Sequence, residues 1–452
     1  MTIALRMMKK ILSLLLCSVC CNSVAAQQPY SLEQLKDSAR RNNIALQNAR
    51  RSIEAARHQR KEAFTKYFPN VSGTGAWFNA NKGMAQMNIN PSEAIPPALS
   101  PLLASLPAEA LAALASPVGV SMLKNGTVAG VNALQPVFAG GQIVNANRLA
   151  RVGEEASQLQ MQLSENEVEM QTEQYYWQLV SLQEKMKTVA AVEALLADIY
   201  KDVDVAVRAG LTLRNDLLQV QLRQNEVESQ RLKLLNGICI VKLLLAQYCG
   251  LSDTTLVVGH SPAPMDPTPT TQHLTPNVQS LPEYQLLGKQ VEAARLQRNM
   301  EIGKTLPTLA VGAGYNYHNL LDNKRAFGMI FATVSVPLSD WWGGSHAVKR
   351  KKIAYQQAVD EQRDKAELLQ IRMQNAWNNV VEARQQLQIA RRSIEQSEEN
   401  LRIHRDHYRA GTCRMADLLE AQMLYQQSCD KHTDAYADLQ NKLLAYRQSI
   451  GE

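Results

Sequence analysis

IEAARHQRKEAFTKYFPNVSGTGAWF, from Ile53 to Phe78, is answered by VEAARLQRNMEIGKTLPTLAVGAGYNY, from Val291 to Tyr317. The EAAR core, Pro69 with Pro307, and Trp77 with Tyr315 all share one offset, so the match is one of register as well as composition. A second pair lies downstream of the first: RAGLTLRNDLLQVQ from Arg208 is answered by RAGTCRMADLLEAQ from Arg409, with matched Gly, Asp, Leu-Leu and Gln. The chain therefore contains two copies of one unit, each in the order helix, strand pair, very long helix, glycine turn, return helix. An internal repeat of this kind fixes the architecture before any residue is given a role.

Working outward from the first stretch, Ser31-Leu-Glu-Gln34 reads as a capping box, and Leu32, Leu35, Ala39, Leu46, Ala49, Ile53 and Ala56 recur at helical spacing up to about Tyr67, where Pro69 ends the helix. Strands are predicted over 70–80 and 128–138 in the first copy and over 308–318 and 327–337 in the second. Leu309, Val311, Ala313, Tyr315 and Tyr317 share one face of the third strand, and Phe327, Met329 and Phe331 share one face of the fourth. Such weak alternation over about ten residues, with Trp and Tyr near the ends, is the pattern of an outer-membrane barrel strand. Pro136 with Gly140-Gly141, and Pro337 with Gly343-Gly344, mark where strand gives way to helix.

Residues 141–207 and 345–408 contain no proline and are rich in Gln, Glu, Ala, Leu and Arg, which predicts two helices of ~100 Å each. Return helices follow the turns at 208–216 and 409–417. Residues 31–67 and 213–249 laid end to end match the length of one long helix, as do 282–305 and 412–450, so each copy supplies one continuous and one interrupted helix. The organisation read here is a signal peptide at 1–26, a first repeat at 27–250, a proline-rich equatorial linker at 251–280 and a second repeat at 281–452. One asymmetry breaks the repeat. The first strand pair is separated by a long, nearly uncharged segment from Asn79 to Thr127, whereas the second turns around in about eight residues.

Arg6, Lys9 and Lys10, the apolar run Ile11–Val19 and Val24-Ala25-Ala26 have the layout of a secretory signal peptide. Leu16, Val19 and Cys20 precede Cys17, Cys20 and Cys21, so no lipid anchor is expected. Cleavage would take the formal net charge from +6 to about +3, a value that points to no nucleic acid. The mature chain has no uninterrupted run of eighteen apolar residues, which leaves strands as the means of crossing a membrane. Cys239, Cys249, Cys413 and Cys429 stand at different heights above the two glycine turns and are read as free thiols. No phosphate-cradling glycine loop or nucleophile triad is present, so an enzyme is not expected. His404 and His407, three residues apart, and Met84 and Met87 are read as ordinary solvated residues, and no metal or other cofactor is expected.

The opening YSLEQL, the strand exits QPVFAGGQ and VPLSDWWGG, and the two turns at Arg208 and Arg409 together resemble the TolC-like outer membrane efflux proteins, and the resemblance spans the mature chain. It implies an α+β membrane protein that works as a homotrimer. Four strands per protomer would form a shared 12-strand outer-membrane barrel, and the long antiparallel coiled coils a periplasmic helical barrel. It also implies an outer-membrane exit duct of a tripartite export system, with outer-membrane lipid around it and a periplasmic adaptor and an inner-membrane pump as partners. A channel for type I protein secretion and a non-transporting periplasmic coiled-coil scaffold are the alternatives; the scaffold would leave the duplicated strand pairs unexplained.

The family's functional positions map onto the glycine turns. Gly210, Leu211, Thr212, Gly411 and Thr412 correspond to the tips that dock the adaptor, although a helix-capping turn would need the same glycines. Asp417 and Glu420 match acidic rings at the closed end of the tunnel, and stand three apart on one helix face; an acidic first helical turn is the alternative reading. Asp216 and Tyr408 match positions that tie neighbouring coils through an arginine. Here Cys413 holds that place, with Arg414 one residue on.

Overall fold

The computed structural model of the protein describes residues 29–89, 118–252, 277–320, 323–338 and 340–451. The expected signal peptide, the centre of the long loop (90–117) and most of the proline-rich linker (253–276) lie outside the described residues. In chain order the elements are α1 (Leu32–Asn42), α2 (Ile44–Thr65), β1 (Asn70–Asn79), β2 (Ala85–Ile89), β3 (Val118–Met122), β4 (Asn125–Ala139), α3 (Gln142–Arg208) and α4 (Arg214–Cys249). The second half continues with α5 (Pro282–Lys304), β5 (Thr308–Leu320), β6 (Asn323–Ser335), α6 (Asp340–Arg409) and α7 (Met415–Ile450). These make two compact units: one of Met1–Ala55, Glu155–Gln290 and Val359–Glu452, the other of Ala56–Glu154 and Val291–Ala358.

In the first, helical unit, α1 begins with the capping box read from the sequence: the Gln34 N–H donates to Ser31 Oγ (3.3 Å) and the Ser31 N–H to Gln34 Oε1 (3.0 Å). The continuous helix expected up to Tyr67 is broken at Asn43, whose backbone is extended (ψ 131°). Asn43 Oδ1 accepts the Ala45 N–H (2.8 Å) and its Nδ2 donates to the Tyr248 carbonyl (3.0 Å). A short polar side chain that bonds nearby backbone competes with the helical ladder, which accounts for the break. Ser38 and Asn42 also donate to the Cys249 carbonyl, so the α1–α2 junction caps the last carbonyls of α4.

Leu35, Leu46, Leu179 and Leu245 are fully buried around Tyr176 and Trp177. Within this core Lys36 Nζ pairs with Glu173 Oε2 at 2.7 Å, and Trp177 Nε1 donates to Glu173 Oε1 at 3.2 Å. Burial also holds the Cys249 thiol neutral, its pKa pushed up to about 12. The polar trio sets the register of α1 on α3, since sliding either helix would strand a buried carboxylate. Replacing Lys36 alone, as Lys36→Met, should cost about 3–5 kcal/mol of stability. The double variant Lys36→Met/Glu173→Gln should recover most of that loss in urea unfolding followed by circular dichroism, whereas equal losses in single and double variants would show that the pair does not hold the helices.

The second unit contains a four-stranded antiparallel sheet in the order β1-β4-β5-β6. A separate two-stranded pairing of β2 with β3 lies at the base of the long loop. Register assigns the faces. Val71, Trp77, Thr127, Val131, Tyr315, Tyr317, Ile330 and Val334 share one face, and Ile330 (89%), Trp77 (71%) and Tyr315 (63%) are among its exposed members. Ser72, Thr74, Asn132, Asn316, His318, Arg325 and Thr333 lie on the other face. That second face is crowded. A Cβ at Gly312 would meet the Phe331 ring, at Gly130 the Asn316 amide, and at Gly314 the Asn132 amide, whereas at Gly73 and Gly75 on the first face it would meet nothing within 4 Å.

Several boundaries differ from expectation. β4 runs from Asn125 to Ala139 where 128–138 was expected, and it carries Pro136 at a shift of register between Pro136 and Phe138, where the missing N–H interrupts the ladder without ending it. β6 starts at Asn323, earlier than expected, because Lys324 and Arg325 continue the pairing with β5; backbone pairing does not require apolar side chains. Only two positions then separate β5 from β6, instead of about eight. The two glycine pairs are also not equivalent: Gly140 and Gly141 adopt left-handed φ of 59° and 73° in the turn, while Gly343 and Gly344 lie inside α6. Gly140 packs against the Gly303 backbone of α5, a contact that any side chain would obstruct.

By length and composition α4 is long and apolar enough to cross a membrane, although polar residues interrupt its apolar runs. Its exposed Leu218, Leu222, Leu232 and Leu243 fall on one stripe with Asn225 and Ser229 at coiled-coil spacing, the pattern of a helix that packs against another helix.

Candidate functional site

Both glycine turns are built alike. In the first, the Gly210 N–H donates to the Val207 carbonyl (3.0 Å) and the Leu211 N–H to the Ala206 carbonyl (2.8 Å); in the second, Gly411 donates to Tyr408 (3.0 Å) and Thr412 to His407 (2.9 Å). With φ of 74° and 73° at Gly210 and Gly411, each is a helix stop closed by paired backbone bonds. The space beside both glycines is open, so it is the left-handed φ, and not crowding, that favours glycine. Leu211 is 81% exposed and Leu213 is also exposed, an apolar pair that the protomer leaves uncovered.

Beneath the turns, Val189, Leu196, Val203, Val220, Val227, Met415 and Leu418 form a buried cluster that joins α3, α4 and α7, with Tyr408 of α6 packed on it. The structure brings Asp216, Thr212 and Tyr408 together. The Thr212 hydroxyl donates to Asp216 Oδ2, and Tyr408 is hydrogen-bonded to Thr212. Burial, and then the charge of Asp216, hold the Tyr408 phenol above its ordinary pKa and therefore protonated. Thr212, Asp216 and Tyr408 thus lie together, with a cysteine and not an arginine at position 413.

Asp417 accepts the Arg414 N–H through Oδ2 (3.3 Å), so it serves as a first-turn acid for α7. The Cys413 thiol lies 3.8 Å from the same oxygen, and burial followed by Asp417 raises its pKa. Glu420 is one turn further on, and both carboxylates are exposed. Leu424, Gln427 and Lys431 continue that exposed stripe along α7. Arg414 reaches Asp417 through its backbone. His404 Nδ1 lies 3.4 Å from Cys413 Sγ and His407 Nδ1 lies 3.0 Å from Thr412 Oγ1, so both rings belong to the second turn. Among the described residues no group of three or more His, Cys, Asp or Glu is arranged to hold a metal.

Sequence reading missed Arg223. This buried guanidinium donates to Gln422 Oε1 (3.0 Å), Gln426 Oε1 (2.9 Å) and Glu226 Oε2 (2.9 Å), and Gln426 in turn donates to Gln230 (2.7 Å). It joins the return helices α4 and α7 just inside the turns. No spacing rule links residues 199 apart in the chain; a lone Arg among apolar helix positions was the available signal. Arg223→Met should leave two buried amide oxygens without a donor and cost about 2 kcal/mol or more. Hydrogen exchange should quicken in α4 and α7 near the turns and stay unchanged in the sheet; unchanged exchange in those helices would show that the network does not hold them together.

Residues 284–452 match the sequence profile of the family described as Outer membrane efflux protein. A search of curated protein sequences finds no match. Among solved structures, the chain is similar to the outer membrane protein VceC of Vibrio cholerae, at 15% identity and a TM-score of 0.73, over 93% of this chain and 96% of that one. It is also similar to the CmeC outer membrane channel of Campylobacter jejuni, at 15% identity and a TM-score of 0.72, over 93% and 85% of the two chains. The MtrE outer membrane channel of Neisseria gonorrhoeae matches at 12% identity and a TM-score of 0.70, over 93% and 88%. Residues 284–452 thus match the Outer membrane efflux protein family, and the chain as a whole has the fold of these outer-membrane proteins.

Proposed function

We propose that the chain is one protomer of an outer-membrane exit duct of a tripartite export system. The observation that carries this reading is the four-stranded sheet with one exposed, apolar, aromatic-bearing face, one crowded face on which Phe78, Phe327, Met329 and Phe331 stand among Ser72, Thr74, Asn132 and Asn316, and two edges, β1 and β6, that are unpaired among the described residues. In lipid every strand edge must be paired. Because the four strands alternate in direction, β6 of one copy can pair antiparallel with β1 of the next. Two copies would give a barrel whose interior side chains fill; three give twelve strands and a lumen. The apolar face then meets outer-membrane lipid and the crowded face turns inward. The exposed leucine stripe of α4 is covered by a neighbouring helix, and the long helices form the periplasmic part of the duct.

In this reading the duct is passive and performs no catalytic step. The pump and its periplasmic adaptor supply the substrate and the energy, with the turns at Gly210, Leu211, Thr212, Gly411 and Thr412 as the docking surface. The exposure of Leu211 supports that role, because an uncovered apolar tip is a site for a protein partner. Asp417 and Glu420, repeated around a threefold axis, make two carboxylate rings that attract cations and close the passage, and the Asp216–Thr212–Tyr408 tie steadies the coils beside them.

Purified assemblies in planar bilayers should conduct ions and be blocked by multivalent cations from the ring side. Asp417→Ala/Glu420→Ala should raise the blocking concentration by at least about tenfold, as expected for removing charge from a narrow ring. Unchanged block would take the carboxylates out of the gate, and no conductance at all would overturn the duct.

A further inference from the structure

The groove between α2 and the start of α3 has a chemistry that a passive wall does not require. It has a volume of about 630 Å³ and is lined by Arg57, Arg60, Lys61, Arg148 and Arg151, with Phe64 and Tyr67 at its side. Glu154 is the one carboxylate in the lining, and it is buried. Arg57 Nε contacts Glu154 Oε1 at 3.3 Å and Arg60 Nη1 contacts Oε2 at 3.1 Å, each through one of its guanidinium nitrogens. The lining thus holds five cations and one carboxylate, and Lys61 and Arg148 form no ion pair among the described residues. The groove is held in shape: Asn147 Nδ2 donates to the Ala63 carbonyl at 2.9 Å, which fixes α3 against α2.

Concentrating like charges in a preformed groove is costly unless an anion occupies it, and the N-terminal turn of α3, which begins at Gln142, adds the favourable end of a helix dipole. Phe64 stacks edge-on with Tyr67 and Phe68, both at 5.6 Å, and Phe64 and Phe68 are exposed. This aromatic cluster ends two residues before β1, and Gln135 of β4 donates to the Tyr67 carbonyl at 3.1 Å, so the groove opens beside the start of the sheet. Aromatic rings beside basic side chains at the end of a barrel strand form the chemistry of the bilayer interface.

We infer that the groove is a binding site for a phosphate-bearing anion, taken either from the headgroup of an anionic lipid or as free phosphate. The anion site stands on the groove alone; a lipid source rests in addition on the barrel reading above. The test uses the full chain in uncharged detergent, with phosphatidylglycerol retention measured by native mass spectrometry against phosphatidylcholine, and inorganic phosphate binding measured by calorimetry. Lys61→Ala/Arg148→Ala removes two exposed cations without touching the Glu154 pairs, and Arg391→Ala/Arg392→Ala on α6 is the control. Phosphatidylglycerol retained by the parent and by the control should be lost about thirtyfold in the groove variant, the equivalent of about 1 kcal/mol for each cation. Binding of inorganic phosphate alone, lost in the same variant, upholds the anion site and assigns free phosphate as its source. If the parent binds neither ligand, or if the groove variant binds as the control does, the inference is overturned, whatever the conductance measurements give.

Discussion

An unpaired strand edge cannot be left in lipid, and among the described residues this sheet has two of them. Water can satisfy the N–H and C=O groups along β1 and β6 in solution, but hydrocarbon cannot, and an unsatisfied backbone group there costs several kcal/mol. A four-stranded sheet is also too narrow to curl onto itself. In the proposed barrel these edges meet edges of other copies, and the remaining features of the sheet follow from that closure. The outward face is free to be apolar and sparsely packed, as around Gly73 and Gly75, while the inward face crowds Phe331, Asn132 and Asn316 over glycines. Curvature toward the crowded face needs that pairing of small against large residues.

The helical unit is governed by a different constraint. Very long helices pack through narrow apolar stripes, and stripes alone allow sliding. Buried polar groups prevent it. Lys36 with Glu173 fixes one level, and Arg223 with Gln422 and Gln426 fixes another near the turns. Near the turns the part-buried Asp216–Thr212–Tyr408 contact joins the end of α6 to the first turn.

Much of this was legible in the sequence, for identifiable reasons. Pro69 and Pro307 fall one residue before β1 and β5, because a proline forbids continuation of a helix but is tolerated at the entry to a strand. Gly210 and Gly411 were legible because a helix stop with left-handed φ favours glycine. The glycine cue misled where a local rule met a tertiary exception: Gly343-Gly344 lies inside α6. The break at Asn43 depends on the Tyr248 carbonyl, and the Arg223 network on two glutamines of α7. Those partners are set by packing between distant segments and leave no trace in local spacing. The cationic groove was missed for the same reason, since Arg57, Arg60 and Lys61 read alone as the solvated face of a helix.

The central claim is that the protomer's sheet is one third of a barrel. The most direct measurement is the mass of the purified full chain in detergent by native mass spectrometry. Closure of four strands per copy around a lumen predicts a particle of three copies. A particle that stays a single copy at every concentration, or one of two copies, would contradict it.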